Sequence, residues 1–407
     1  MLFQKGIILE QHKEPAFSKK ICKFVNSDSK KYFEDWKKEE KLTIENLAEC
    51  ARKACIIDES DGVDLYKKIL SIKSKGYYSV VADAIDDEPY VSSQMGVAYW
   101  LSDEMIGGLS LLEEVSGCKR KYIAVYGNIG YTDIKIPEEI NGVAVKKISG
   151  RYPAEQRAKK RLRYRNALVV GSGALVHLYR AYTEKLCQTT TFITVGGDCI
   201  TDSMNIEVSL GMSVEQVLER CGLKNKPNRV CIKGTMTGVG IIDIEENLIT
   251  PTTASIMAFR EKYKNNNYVC IGCGRCTASC PMGLSPYYIY KFIKNNQQDK
   301  LDMFDATSCI GCGICSYNCP AKLELSSVIF DYVLENKKTE IFENKAEKVI
   351  IEEECRNEAD NENGKKSSKN NITKITEKLN KKSDLSQKPT TDKLKNKKKK
   401  NKRGNTY

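Results

Sequence analysis

The spacing of apolar residues between positions 43 and 190 alternates between two periods. Thr43-Ile44-Glu45-Asn46-Leu47-Ala48 places a capping residue before apolar positions at helical spacing, which predicts the start of a helix. Short apolar runs predict strands at 77–84, 121–126, 143–148 and 167–170, and longer patterns predict helices at 96–115 and 172–185. Strands that alternate with helices are typical of an α/β layer with a parallel sheet.

Between 190 and 245 the pattern becomes rich in short strands. Alternating positions predict strands at 190–195, 204–210 and 229–232, and Ser213 begins a short capped helix that ends at Gly222. We therefore expect a compact β-rich unit with one helix. After about residue 349 the apolar periodicity is lost, and such a segment cannot bury enough surface to offset its chain entropy, which predicts a disordered tail.

Composition narrows the class of protein. The 407 residues are 41% hydrophobic and 29% charged, which are globular values. No apolar run reaches the roughly 18 residues of a membrane-spanning helix, and the first residues do not have the pattern of a signal peptide. We therefore expect a cytoplasmic protein.

The positive charge is confined to the tail. Residues 365–407 hold 16 Lys and Arg against 3 Asp and Glu, whereas the remainder holds 49 against 50. The near-neutral remainder predicts no nucleic-acid partner. The basic tail could be a solvated segment that increases solubility. Alternatively, it could hold the protein near the inner face of the cell membrane or against an acidic protein.

Two cysteine motifs carry the clearest chemistry. Eight of the 17 cysteines follow the pattern Cys-x2-Cys-x2-Cys-x3-Cys-Pro twice. This spacing is typical of ferredoxins with two [4Fe–4S] clusters, in which the fourth cysteine of each motif ligates the other cluster. We predict that cluster I is held by Cys270, Cys273, Cys276 and Cys319. Cluster II is then held by Cys309, Cys312, Cys315 and Cys280.

Structural zinc on the same thiolates is the alternative. Zinc sites usually use two ligand pairs across a longer gap, whereas here four cysteines recur with identical spacing. The stretch 285–294 between the motifs predicts a helix with Pro286 in its first turn, which favours a helical dicluster ferredoxin.

Four weaker signals remain. The other nine cysteines are expected to be buried or surface thiols, although Cys199 lies in a glycine-rich turn that could expose a thiolate for a relay. Gly171-Ser172-Gly173 is half of a nucleotide-binding fingerprint and is better explained by close helix packing. His177 is expected to be packed inside a helix, so no histidine-dependent catalytic residue is predicted. Asp86-Asp87-Glu88 is either an acidic turn or the remnant of a site.

These stretches together resemble the C subunit of the Rnf electron-transport complex. Its relatives include the cobalamin reductase of propanediol-utilising microcompartments and the electron-transfer protein associated with proline reductase. The similarity covers about 43–340, with matches at Glu88-Pro89-Tyr90, Arg151-Tyr152-Pro153, 173–181, Gly197-Asp198, 210–214, 234–238 and 273–284.

The resemblance implies an α/β fold plus a β-grasp unit plus an α-helical dicluster ferredoxin. The expected parts are an N-terminal segment at 1–42, a degenerate flavin and NADH domain-like region at 43–165, a soluble-ligand-binding β-grasp (SLBB-like) domain at 166–245, the ferredoxin at 246–349 and the lysine-rich tail at 350–407. We expect no counterpart of the family's N-terminal sandwich of strands in 1–45, because this segment is short and polar.

The resemblance also implies an FMN and NADH site in the α/β region, but the sequence departs from the family there. The family has a glycine-rich loop followed by Phe-Pro-Thr, whereas residues 58–66 read Asp-Glu-Ser-Asp-Gly-Val-Asp-Leu-Tyr. Glycines let backbone amides approach a phosphate, and aspartates repel it. We therefore expect FMN and NADH binding to be weak or absent.

The expected function is that of an iron–sulfur electron-transfer protein. It would pass low-potential electrons through two [4Fe–4S] clusters between a protein donor and a terminal reductase. One alternative is a flavin-dependent NADH oxidoreductase subunit that feeds the clusters. The other is a cluster-bearing scaffold subunit of an amino-acid reductase or cobalamin system.

Overall fold

A five-stranded sheet forms the middle layer of the first part of the chain. The computed structural model describes residues 20–25, 30–34, 36–127, 136–261 and 269–336. The spatial order of the strands is β4-β5-β3-β2-β6, and all pair in parallel except β4 with β5. The strands are β2 (Ser79–Ala84), β3 (Arg120–Tyr126), β4 (Glu139–Ile140), β5 (Val143–Ile148) and β6 (Ala167–Gly171).

Helices cover both faces of this sheet. They are α1 (Ile44–Lys53), α2 (Leu65–Leu70), α3 (Ile72–Lys75), α4 (Ser93–Trp100), α5 (Ser102–Ser116), α6 (Ala154–Tyr164) and α7 (Ser172–Glu184). All six residues of β2 are buried. Val80 and Ala82 pack in the core that contains Leu109 of α5 and Leu175 of α7, whereas Val81 packs with Ala158 of α6. Burial on both faces explains why β2 is mostly apolar, with Ser79 and Asp83 as its polar residues.

The predicted α/β layer is confirmed, although the short elements α2, α3 and β4 and the helix α6 are not among the predicted elements. Two predicted features also differ. The helix expected at 96–115 is two helices, α4 and α5, which meet at Leu101. In addition, β6 pairs with β2 in the five-stranded sheet. The expected boundary at 165/166 therefore falls within one layer. The sequence of a short strand such as β6 does not indicate which strand it pairs with.

A mixed six-stranded sheet follows. Its order is β1-β8-β7-β11-β9-β10, with α8 (Val214–Arg220) packed through Val217 and Leu218 onto the core of the sheet. The strands are β1 (Cys22–Phe24), β7 (Thr190–Gly196), β8 (Met204–Ser209), β9 (Arg229–Ile232), β10 (Val239–Ile241) and β11 (Ser255–Phe259). The sheet thus extends past residue 245, because β11 lies between β7 and β9.

The polar N-terminal segment contributes to both parts, which its sequence does not indicate. β1 pairs in parallel with β8 at the edge of the second sheet. Phe33 and Trp36 are buried in the core of the α/β layer, and the Trp36 indole donates a hydrogen bond to the carbonyl of Asn46 at 3.2 Å.

The C-terminal part is built from short helices. They are α9 (Arg275–Ser279), α10 (Pro286–Lys294), α11 (Gln298–Met303), a 3-10 turn at Ala306–Ser308, α12 (Ile314–Tyr317) and α13 (325–336). Their core contains Leu284, Ile289, Leu301 and Ile329. The predicted helix between the cysteine motifs is α10, with Pro286 in its first turn. The tail expected at 350–407 lies outside the described residues, and no described helix is long and apolar enough to cross a bilayer.

A partly buried ionic contact joins the α/β layer to the second sheet. The Arg180 guanidinium on α7 lies 2.5 Å from carboxylate oxygens of both Glu104 on α5 and Glu207 on β8. One turn earlier, His177 is 4% exposed and stacks on Phe192 with ring centroids 5.5 Å apart. Burial, and then the nearby Arg180 charge, lowers the pKa of His177 to about 4. His177 is therefore a packed neutral residue.

This burial predicts an acid-sensitive contribution to stability. The pKa of His177 is 6.5 in the unfolded chain and about 4 in the folded one. The contribution of the neutral side chain to the free energy of unfolding is therefore complete above pH 6.5 and is lost as the pH falls toward 4. Between pH 7 and pH 5, urea unfolding of the wild type should lose about 2 kcal/mol more stability than that of His177→Gln. An equal loss in the two proteins would show that His177 is not the responsible group.

Candidate metal centres

The first three cysteines of the first motif converge with the last cysteine of the second. Cys270, Cys273, Cys276 and Cys319 line one cavity of about 200 Å³ between α9, α10 and the segment after α12. This is the set predicted for cluster I. The cavity is several times the roughly 30 Å³ that one water molecule occupies in the liquid, so it has room for more than a single ion.

The remaining four motif cysteines also lie close to one another. The pKa of the Cys315 thiol is raised to about 12, first by burial and then by the neighbouring thiols of Cys309, Cys312 and Cys280. These four residues are the set predicted for cluster II. Because iron binds thiolates, assembly of a cluster here would displace protons from thiols that are otherwise neutral.

The two motifs fold into the same local structure. Gly272 and Gly311 adopt φ values of 68° and 67°, and their N–H groups donate to the sulfur two residues earlier, at 3.4 Å to Cys270 and 3.5 Å to Cys309. A residue with a side chain is strained at this φ, which explains glycine at both positions. Each turn aims a backbone amide at a sulfur, and amides of this kind tune iron–sulfur centres.

The spacing of the motifs is what distinguishes a cluster from a single zinc ion. Four cysteines recur with identical spacing in each motif, whereas zinc sites usually use two ligand pairs across a longer gap. Among the described residues, no group of three or more His, Cys, Asp or Glu has the geometry of a metal-ion site.

The two cysteine sets differ in exposure. Cys312 and Cys315 are buried, whereas Cys273 is exposed and its neighbour Ile271 is 70% exposed. Among the described residues, the first motif is therefore the more exposed to solvent, and the second motif packs against the rest of the chain.

Tyr152 and Glu88 connect the second motif to the α/β layer. The Tyr152 hydroxyl lies 2.8 Å from the carbonyl oxygen of Cys312 and 3.1 Å from Oε1 of Glu88. The Glu88 carboxylate also accepts hydrogen bonds from the backbone N–H groups of Met236 and Thr237, at 3.0 and 2.9 Å. Glu88 therefore holds together the α/β layer, the loop before β10 and the second motif.

The other two carboxylates of this acidic turn cap helices. Asp86 accepts from the N–H of Met95 at 2.8 Å, at the start of α4. Asp87 accepts from the N–H groups of Ala154 and Glu155, at the start of α6. The three consecutive acids thus satisfy backbone donors on three different segments, a role that a sequence pattern alone does not assign.

The structure contradicts one sequence-based hypothesis about cysteine. Cys199 is completely buried, and this burial raises the pKa of its thiol. The glycine-rich turn therefore does not present a thiolate for a relay, because the side chain packs into the core with Ile193 and Leu218.

Comparison with known proteins identifies the cysteine-rich part. Residues 269–323 match the family model described as a 4Fe-4S dicluster domain. The chain is 24% identical over 233 residues to the C subunit of the ion-translocating oxidoreductase complex of Rhodobacter capsulatus, covering 51% of this chain and 44% of that protein. It is 28% identical over 272 residues to the C subunit of the Na(+)-translocating ferredoxin:NAD(+) oxidoreductase complex of Acetobacterium woodii, covering 61% and 60%.

Among solved structures, an NAD+-reducing [NiFe]-hydrogenase in the H2-reduced state aligns with a TM-score of 0.49 at 9% identity, over 72% of this chain and 61% of that chain. The chain spans about half the length of the curated relatives it matches. The resemblance to the C subunits of these complexes, first indicated by the motifs, is thus confirmed, and the chain carries a 4Fe-4S dicluster domain at 269–323.

Proposed function

We propose that this chain is an iron–sulfur electron-transfer subunit that passes low-potential electrons through two [4Fe–4S] clusters to or from a partner reductase. The observation that carries the proposal is the convergence of Cys270, Cys273 and Cys276 with Cys319 around one cavity. This exchange of the fourth ligand is what the spacing of a two-cluster ferredoxin requires.

Cluster I would be held by that set, and cluster II by Cys309, Cys312, Cys315 and Cys280. When bound, the clusters supply one-electron redox chemistry. The protein contributes thiolates and the amide donors of Gly272 and Gly311. Because each motif supplies a ligand to both clusters, the clusters lie close together, which favours electron transfer between them.

The partners we propose are proteins: an electron donor and a terminal reductase. The exposed first motif is the side on which electrons would enter or leave, since Cys273 and the apolar Val269 and Ile271 are accessible there. We infer that the six-stranded unit with α8 is the β-grasp domain implied by the resemblance, because its single helix covers one face of a mixed sheet.

The proposal predicts the metal content. After anaerobic reconstitution with ferrous iron and sulfide, the full chain should hold about eight iron and eight acid-labile sulfide, because two cubanes contain four of each. Dithionite reduction should produce electron paramagnetic resonance signals of two interacting [4Fe–4S]+ centres. A colourless, magnetically silent protein that retains zinc instead would contradict the proposal.

Ligand exchange between the motifs gives a sharper prediction. Cys319→Ser should damage the same cluster as Cys273→Ser, although Cys319 belongs to the second motif. Cys280→Ser should likewise match Cys312→Ser. Each variant should lose about half of the iron or have one altered paramagnetic signal, because serine is a poorer ligand for iron than a thiolate.

Cys118→Ser is the matched control, because Cys118 is a partly exposed thiol outside both motifs. Its iron content and spectrum should equal those of the wild type. If Cys319→Ser resembled Cys312→Ser instead, each motif would hold its own cluster and the proposed ligand sets would be wrong.

A further inference from the structure

The crevice of the α/β layer lies where nucleotides bind in related architectures. From β2 the chain proceeds to β3 and then β5 on one side, and it returns to the other side of β2 as β6. In open α/β sheets, ligands bind beyond the carboxyl ends of the strands at such a reversal of strand order. The cavity at this place, about 890 Å³, is lined by residues that follow β2 and by Glu59.

A carboxylate of the chain itself occupies the start of α7 in this crevice. Oε1 of Glu59 accepts a hydrogen bond from the N–H of Gly173 at 2.7 Å, and Oε2 accepts from the N–H of Ala174 at 2.9 Å. Both N–H groups belong to the first turn of a 13-residue helix, where backbone donors have no acceptor within the helix itself. Two adjacent N–H groups at a helix N-terminus are the donors that a phosphate uses in nucleotide-binding folds.

Gly171 and Gly173 make room for this carboxylate. A Cβ atom on Gly171 would lie 2.3 Å from Oε1 of Glu59, and one on Gly173 would lie 3.0 Å from the same oxygen. The two glycines of the partial fingerprint therefore form a cradle, and an acidic side chain fills it. Neither glycine is explained by helix packing alone.

The loop that carries Glu59 is fixed in place. Asp58 is completely buried, accepts from the N–H of Gly171 at 3.2 Å and forms an ion pair with Lys68 at 2.6 Å. Burial, followed by the Asp58 charge, raises the pKa of Glu59 to about 7. The Glu59 carboxyl group fills the cradle in either protonation state. Protonation does not change its volume, and one of its oxygens still accepts a hydrogen bond.

The rest of the crevice is equally unsuited to a phosphate. The starts of α4 and α6 are occupied by Asp86 and Asp87. Seven carboxylate side chains line the cavity against four basic ones. Lys159, the most enclosed of these bases, is paired with Asp83 at 2.9 Å and Glu155 at 2.6 Å. The residues present do not fit FMN, because the helix-start N–H groups that could receive its phosphate in this crevice are already bonded to carboxyl groups.

We propose that Glu59 fills an anion-binding position at the N-terminus of α7 from within the chain, so that the crevice excludes the phosphate of a flavin or nicotinamide nucleotide while Glu59 is in place. This inference goes beyond the proposed function, because two clusters could exchange electrons with protein partners whether or not the crevice is closed.

The test uses the full, cluster-loaded chain, with inorganic phosphate and FMN as separate probes. Glu59→Ser should melt at a lower temperature than the wild type, and phosphate should raise its Tm while leaving that of the wild type nearly unchanged. Phosphate should bind Glu59→Ser at least about tenfold more tightly, since two N–H donors become free. If Glu59→Ser binds FMN more tightly than phosphate, the crevice also accepts the flavin ring system. This result would support a nucleotide crevice that Glu59 closes in the wild type.

Asp61→Asn is the matched control. Asp61 lies on the same loop and pairs with Lys68 at 2.8 Å, so this variant removes a charge but leaves the cradle filled. It should respond to phosphate like the wild type. Any phosphate bound by the basic tail should be the same in all variants, because they share that tail. The proposal is overturned if the wild type binds about one equivalent of FMN, or if folded Glu59→Ser shows no gain over Asp61→Asn. Iron content and paramagnetic resonance report on the clusters separately from either outcome.

Discussion

Backbone N–H groups at the starts of helices and tight turns need acceptors, and this requirement determines how the chain is assembled. In the α/β layer the acceptors are carboxylates that come from distant positions, such as Glu59 on Gly173 and Glu88 on Thr237. In the cysteine motifs the acceptors are sulfurs, as at Gly272 and Gly311. A buried donor left without an acceptor costs about 1–3 kcal/mol, and this cost bears most on the half-buried contacts, such as that of Glu59 with Gly173.

The same requirement links the parts of the molecule to the proposed function. Glu88 at the end of β2 holds the loop before β10, and a Cβ on Gly313 of the second motif would lie 2.4 Å from the Met236 carbonyl in that loop. Tyr152 adds a contact to the carbonyl of Cys312. The second cysteine motif thus packs against the α/β layer, while Cys273 of the first motif is exposed among the described residues. Under the proposed function, a protein partner would reach the first motif, while the second motif is held against the α/β layer.

The acidic loop at 58–61 changes what the α/β layer can do without changing its fold. The strand order of the layer is of the kind that leaves a ligand crevice beyond the carboxyl ends of its strands. The helix-start N–H groups in this crevice are nevertheless occupied by carboxyl groups of the same chain, which accept the same hydrogen bonds as a phosphate. With the crevice closed in this way, the α/β layer serves as a scaffold that supports the cysteine motifs.

The sequence alone determined the features that depend on local spacing. These include the two cysteine motifs, four strands and the α1 and α7 helices of the α/β layer, the Thr43 and Ser213 caps and the helix at Pro286, because periodicity and capping act over a few residues. Only the tertiary structure decided which strands share a sheet, that Cys199 is buried and that Phe33 and Trp36 enter a core. It also showed that Glu59 contacts a helix that begins 113 residues later in the chain. Such contacts join residues far apart in sequence, and the hydrogen-bonding capacity of a lone carboxylate gives no indication of which distant donors it will meet.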